Sequence, residues 1–368
     1  TFADLKVAVF PNPVYENNLH IVVRTNDKFA STPRLQMTFN SQQGYLTMTP
    51  INDSTYITNY ALKESGEGVV EAYGTNSNGT ILTNNLKFSA VYYPPKSQGS
   101  LSASYGRVTF PAGSIRKGGY VVLAASTEQH SYAGLRRITP MLDVALPGDT
   151  TDAPVSVALP LSGPWTASLP VGLFAASDNG PQWLGRADKV GNEILGSMNR
   201  SATVFAAIDQ TAPVIGGEAE TDKNGMVSIG VTENGSGVDA GSIVVKIGNE
   251  RVPVRWDAAS RKIVANLAGR LDGRYDLDVE VADRLGNKVH SNITANMAGT
   301  FGLSQAIVYP NPARAFANLR MTFRGGAAVG AQIEARIYDI AGEDVWETRM
   351  AHVGGGIYQA RWDLKSRH

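Results

Sequence analysis

Acidic and amide side chains gather at the glycine- and proline-punctuated stretches of this sequence, as Asp149/Asp152, Asp222/Asn224, Glu233/Asn234 and Asp283/Asn287, with Asp209 beside a Gln-Thr-Ala-Pro run. Hard oxygen donors of this kind suit calcium, which takes about six to eight of them from carboxylates, amides and backbone carbonyls. The candidate ligands are Asp209, Glu233, Asp283 and Asn287; an ion held there would stiffen a seam between domains. The chain has no complete EF-hand loop. A plainer reading therefore stands beside calcium: Asp and Asn side chains accept hydrogen bonds from backbone amides just ahead of them and so fix turns.

Other chemistry finds little support. A serine nucleophile needs a base within hydrogen-bond reach and usually a strained turn, and there is no Gly-x-Ser-x-Gly elbow. The histidines, His20, His130, His290, His352 and His368, are scattered, with no His-Glu-x-x-His pair to hold catalytic zinc. The absence of cysteine removes thiolate chemistry, disulfides and cysteine-ligated zinc together. No Gly-x-Gly-x-x-Gly run offers a nucleotide cradle. Carboxylate pairs of the glycosidase kind can come from distant parts of a chain, and 33 acidic residues give many accidental pairs. The expectation is a protein that is not an enzyme. Trp165, Trp183, Trp256, Trp346 and Trp362, with Tyr92 and Tyr93, could stack on sugars, but strand-borne aromatics also fill sandwich cores. The core reading is favoured for all of them; Trp165, in a loop-like stretch between Pro164 and Thr166, is the one whose exposure is worth testing.

The elements that must position these residues are strands. Tyr275, Leu277, Val279 and Val281 alternate with Asp276, Asp278 and Glu280, the pattern of a half-buried strand. The same period of two recurs at Leu5/Val7/Val9, Leu19/Ile21/Val23, Leu35/Met37/Phe39 and Ile333/Ala335/Ile337. Turn clusters such as Asn76-Ser77-Asn78-Gly79 and Asn234-Gly235-Ser236-Gly237 separate such runs. Many short strands with regular turn signals predict an all-β chain, a tandem array of antiparallel β-sandwiches of the Ig-like kind.

Seams in the punctuation divide the array. Tyr93-Pro94-Pro95 ends one unit because proline cannot donate to a ladder; Asp209 to Pro213 opens a third, and the small, glycine-rich run before Ala306 opens a fourth. The expected domains are 1–95, 96–208, 209–299 and 300–368. Val9-Phe10-Pro11-Asn12-Pro13 returns as Val308-Tyr309-Pro310-Asn311-Pro312, each followed by a strand-like run, as a rigid corner repeated in the first and last domains would be.

In the last domain, Ile307 to Ala313, then Ile337-Tyr338-Asp339-Ile340-Ala341-Gly342, then Trp362-Asp363-Leu364-Lys365 resemble the C-terminal Ig-like modules of bacterial secreted proteins, the group of the flagellar hook-cap Ig-like and type IX secretion sorting domains. Such modules continue past the Trp-Asp strand, so the resemblance implies a last domain without its closing strand. The third domain, with Asp209-Gln210-Thr211-Ala212-Pro213, Ser236-Gly237-Val238-Asp239 and Asp283-Arg284-Leu285-Gly286-Asn287, resembles bacterial surface Ig-like repeats. The second, through Gly106 to Ile115, Val155 to Leu159 and Ala202 to Ile208, is loosely similar to the ZU-type sandwich of ankyrins and netrin receptors. Some relatives of that sandwich cut themselves at a His-x-Ser/Thr step; Arg200-Ser201-Ala202 stands before the last strand here, which implies no self-cleavage.

The 33 basic and 33 acidic residues balance, giving no field for nucleic acid or an anionic membrane. No apolar run reaches the ~18 residues of a membrane-spanning helix. With the resemblances, these features predict a secreted or cell-surface spacer, attachment or assembly region, the C-terminal part of a larger secreted protein. Its partners are expected to be other surface or secreted proteins, engaged by strand addition at the C-terminal edge after Trp362-Asp363. The alternative is the accessory tail of a secreted hydrolase such as a subtilisin-like protease, or a carbohydrate-binding region.

Overall fold

The computed structural model describes residues 4–128, 130–163, 169–222, 224–268, 270, 273–297, 302–324, 332–354 and 356–365. The chain is all-β, as the alternation predicts; among the described residues the one helical element is the 3-10 turn Ala240–Ser242. Every ladder between named strands is antiparallel. Compact packing divides the chain into two units. The first is Thr1–Thr211 with Asn234–Gly237 and Arg284–Asn287, and the second is Ala212–Glu233, Val238–Asp283 and Lys288–His368.

In the first unit, Leu5–Pro11, Asn18–Thr25, Thr55–Ala61 and Thr49–Asn52 form a four-stranded sheet in that order. It faces part of a much longer sheet, which passes from Gln42–Leu46 through Arg34–Phe39, Gly66–Thr75 and Ile81–Tyr93 to Gly119–Ala125, Leu142–Ala145 and Ala202–Asp209. From there it continues through Val171–Ala175 to Gln182–Val190, which pairs first with Val171–Ala175 and then, past Ala187, with Glu193–Arg200. Switching partners in this way turns the sheet back on itself. Val108, Val157 and Ile194 of the returning half therefore share a core with Leu123, Val144 and Val204 of the other.

The prolines of Tyr93–Gly99 end a strand without ending the sheet. Gly119–Ala125 returns to pair with Ile81–Tyr93 over the register Gly119↔Tyr93 to Ala124↔Phe88. Gly119–Ala125 is buried on both faces: Tyr120, Val122 and Ala124 pack into the core of the four-stranded sheet, while Val121 and Leu123 pack into the other. A strand covered on both faces reads as an unbroken apolar run, which Tyr120 to Ala125 is. The neighbouring strand divides likewise, with Tyr92 packed against the first core and Val91 and Tyr93 against the second. The expected domains 1–95 and 96–208 are thus joined through a common sheet.

In the second unit, Val214–Thr221, Met226–Thr232, Lys262–Asn266 and Val254–Asp257 form one sheet; Glu250–Arg251, Val244–Ile247, Gly273–Ala282 and Lys288–Met297 form another. Both contribute to one core, with Val227, Ile229 and Ile263 from the first and Val245, Leu277 and Val279 from the second. A further sheet orders Gly302–Tyr309, Ala317–Arg324, Ile357–Trp362 and Ala351–Gly354, beside the two-stranded Glu334–Tyr338 and Asp344–Arg349. Its smaller core holds Leu319, Phe323, Ala335, Met350 and Tyr358. Ile357–Trp362 is an interior strand, but its partner on one side reaches only to Gln359; Ala360, Arg361 and Trp362 are laddered on the Ala317–Arg324 side alone.

Candidate functional site

The candidate calcium ligands lie in turns, where hydrogen bonding accounts for much of their placement. Asp209 closes the strand Ala202–Asp209 and is only 4% exposed. Its Oδ1 accepts from the Thr211 backbone N–H at 3.0 Å and from Thr211 Oγ1 at 2.7 Å, and its Oδ2 accepts from the Ser236 N–H at 2.8 Å. Asn287 Nδ2 donates to the Asp209 carbonyl at 2.9 Å. A Cβ at Gly235 would meet Asp209 Oδ2, so a larger residue there would have to displace that carboxylate from its hydrogen bonds. In the second unit, Glu233 and Asp283 bring carboxylate oxygens within 4.8 Å of each other. Asp283 is 1% exposed and forms an isolated bridge with Val238.

The other acidic stretches are turn or surface chemistry. Asp222 Oδ1 accepts from the N–H groups of Asn224 and Met226. These donors, Met226 foremost, hold its carboxyl below the usual carboxylate range. Asp152 is held low by its hydrogen bond with the Arg116 guanidinium. Asp149 has φ +68° and an exposed side chain.

Sequence reading missed a second feature. A groove of about 630 Å³ runs along the strand Leu5–Pro11 in the first unit. Lys6 to Pro11 line it together with His20, Val22 and Arg24 of the neighbouring strand, and so do Asp143 to Leu146 and Ser201 to Thr203. At its floor, Asp143 accepts a 2.6 Å hydrogen bond from Thr203 Oγ1. Burial pushes the Asp143 carboxyl up to about 6 and Glu128 adds to the rise, while hydrogen bonds from Thr203 and Ser126 oppose it. Lys6 pairs with Glu128 at 3.5 Å, and Glu128 also meets His130 at 2.7 Å. The signal available in sequence was the lone acid of Leu142-Asp143-Val144-Ala145, placed by alternation on the face opposite Leu142 and Val144.

The aromatics pack on one another. Trp183 meets Phe174 edge-on at 5.4 Å, and Phe174, Phe205 and Tyr132 continue as a stack at 5.6 and 5.5 Å. The Tyr132 hydroxyl is fixed by Ser177, whose N–H donates to it at 2.9 Å. Trp256 packs against the large core of the second unit, and Trp346 and Trp362 against the small one. Trp165 lies outside the described residues, as does His368. Among the other histidines, His20 meets Asn59 Oδ1 at 2.9 Å and exposed His290 pairs with half-buried Asp278. Among the described residues no helix is long and apolar enough to cross a membrane.

No protein-family model matches the chain, and no curated protein matches it. Among solved structures it is similar to a 1.5-MDa bacterial ice-binding adhesin at 14% identity, over 80% of this chain and 97% of that one, with a TM-score of 0.19. It is also similar to dimeric latent PorU from Porphyromonas gingivalis at 12% identity, over 99% of this chain and 31% of that one, TM-score 0.18. A cycloalternan-degrading enzyme from Trueperella pyogenes aligns at 11% identity, over 77% of this chain and 31% of that one, TM-score 0.20. Likenesses of this size assign no role, and the chain spans under a third of the last two proteins.

Proposed function

We propose that this chain is a non-catalytic secreted or cell-surface β-sandwich protein, acting as a spacer, attachment or assembly region. The observation that supports it is the common sheet of the first unit, whose strand Gly119–Ala125 belongs to two cores at once. A ladder continuous from one core to the next leaves no linker at which they could swing apart, a property useful for holding a partner at a set distance. Partners engage unpaired strand edges, where a row of backbone donors and acceptors is open to an added strand. At the C-terminal end that edge is Ala360 to Trp362 together with the outer side of Ala351–Gly354. Antibody labelling of intact cells of the source organism, beside lysed cells and medium, tests the location. Signal on intact cells or in medium is the expected result, and signal confined to lysed cells would defeat the proposal.

The calcium expectation belongs to the same reading, as turn stiffening at Glu233 and Asp283. Its test is the melting midpoint with calcium and with chelator; a midpoint that does not differ removes the ion.

A further inference from the structure

From the edge strand Gln42–Leu46 we infer that the first unit pairs with a second copy of this chain, the two edges joining as antiparallel strands about a two-fold axis at Gly44. Such a pair would form whether or not the chain stands at a cell surface. Gln42–Leu46 ends the long sheet of the first unit and, among the described residues, is laddered to Arg34–Phe39 alone. The ladder decides which of its residues face outward. Asn40, next in register after Phe39↔Gly68, donates its N–H to the Glu67 carbonyl, so the even-numbered residues of Arg34–Phe39 bond toward Gly66–Thr75 and the odd-numbered ones toward Gln42–Leu46. The register Phe39↔Gln42, Met37↔Gly44 and Leu35↔Leu46 then assigns Gln42, Gly44 and Leu46 to that neighbour. The two-residue turn Asn40-Ser41, with φ +44° and +65°, agrees, since a turn of this type closes on a hydrogen-bonded pair at Phe39 and Gln42. Gln43 and Tyr45 are left to direct N–H and C=O out of the sheet.

A row with this spacing is complementary to itself. A two-fold axis at Gly44 sets Gln43 of each copy opposite Tyr45 of the other, so both outward residues of both copies exchange backbone hydrogen bonds. The Gly44 pair falls between them as a non-hydrogen-bonded pair, where Cα atoms approach to ~4.5 Å. Nothing within the single chain calls for glycine at that position: its φ is not positive, and a Cβ there would meet nothing within 4 Å. Glycine inside a strand weakens it and marks places where another backbone comes close, and the two-fold pairing supplies that backbone. The edge also lacks what guards the other sheet ends of this unit. Leu5–Pro11 carries Lys6, and its Leu5 carbonyl already accepts from Asn84 Nδ2. Thr49–Asn52 carries Pro50 and a register shift beside it, and in Gly99–Ala103 the Ser100 carbonyl accepts from the Tyr93 hydroxyl at 2.8 Å. Gln42–Leu46 has no charge, no proline and no register shift, and its Tyr45 is 76% exposed. Two uncharged edges meet without repulsion, whereas a charged partner strand would find no counter-charge on this one. Five residues of strand bury less than a standard interface, so the dimer is a weak one.

The test uses the full chain, which has no cysteine of its own. Sedimentation velocity should show monomer passing to dimer between about 10 µM and 1 mM, the range of a small interface. Gln43→Lys combined with Tyr45→Lys, both at exposed positions, sets like charges opposite each other twice and should weaken association about tenfold. Gln43→Glu combined with Tyr45→Glu should do the same. An equimolar mixture of the two variants should recover association as a heterodimer, which loss of folding would not allow. Gly44→Cys should crosslink under mild oxidation, because ~4.5 Å between Cα atoms is within disulfide reach. Gln43→Cys should crosslink at least about tenfold more slowly, since its two copies are diagonal neighbours ~7–8 Å apart. A chain that stays monomeric throughout overturns the inference and leaves the edge to a strand of another protein. Undiminished association in both charged variants, no recovery in their mixture, or equal crosslinking at the two cysteine positions overturns it as well. The measurements are made in solution, so their failure leaves the cell-labelling result standing, and a cytosolic location leaves the dimer standing.

Discussion

The strands Gly119–Ala125 and Gly273–Ala282 are both central to their sheets, yet they are built differently. In Gly273–Ala282 the side chains alternate: Leu277, Val279 and Val281 enter one core, while Asp276, Asp278 and Glu280 turn to the other face. Gly119–Ala125 has no such face, for Val121 and Leu123 fill one core and Tyr120, Val122 and Ala124 the other. Alternation marks a strand that serves one core, and its loss over a short apolar run marks a strand that serves two. Each of the first unit's cores is completed by strands that also complete the other.

The largest effect that could break this comparison comes from adjacent truncations. Leu123→Ala should cost about 2–5 kcal/mol and Val122→Ala about 1–3 kcal/mol, because each empties a fully buried volume. The two positions face different cores. If the strand couples those cores, either variant lowers the unfolding of both together, read by hydrogen exchange at Ile21 in one and Val157 in the other. Loss of protection at Val157 with Ile21 unchanged in Leu123→Ala would show two independent sandwiches and remove the contrast.

That coupling was the part of the fold least legible in the sequence. Strand type was readable because Leu5/Val7/Val9 and Leu277/Val279/Val281 carry the period of two into the structure. The turn reading that stood beside calcium for Asp222 describes its hydrogen bonds, and Asp257 and Asp339, which lie outside that set of candidates, also accept from backbone amides close ahead. Pro94-Pro95 was misleading in one respect. Proline ends a strand by local chemistry, but whether the chain then returns to the same sheet is decided by a ladder partner 26 positions on, Gly119 opposite Tyr93, and no local signal carries that. The groove was hidden for a related reason: its walls come from Lys6–Pro11 and Asp143–Thr203, brought together by the folding of the first unit alone.

A smaller effect sharpens the comparison from its polar exception. Asp143 is the acid on a strand otherwise buried beside Gly119–Ala125, and its carboxyl is raised to about 6 from 3.8. The folded state therefore holds this proton more tightly than the unfolded chain, and stability is lost as pH rises from about 4 to 6. Asp143→Asn retains an acceptor for Thr203 and removes the charge. It should be neutral near pH 3.5 and more stable than the parent at pH 7.5, by about 2 kcal/mol once partial exposure is allowed for. Urea titrations at the two pH values measure this; an equal change at both would mean that Asp143 does not carry the charge penalty.

The smallest effect tests the contrast at single-residue resolution in the second unit. Val279 is fully buried, and its neighbour Glu280 reaches out to Lys288 at 3.0 Å with both side chains substantially exposed. An exposed pair of this kind contributes under about 1 kcal/mol, because solvent screens it and two long side chains lose freedom in forming it. Glu280→Ala should therefore change stability by no more than about 0.5 kcal/mol, while Val279→Ala, one position away, should cost about 2 kcal/mol. No adjacent pair between Tyr120 and Ala124 offers that difference, since every one of those residues is buried. Should Glu280→Ala approach the cost of Val279→Ala in a denaturant titration, the outer face of Gly273–Ala282 would be bearing load, and the distinction between one-core and two-core strands would no longer follow from alternation.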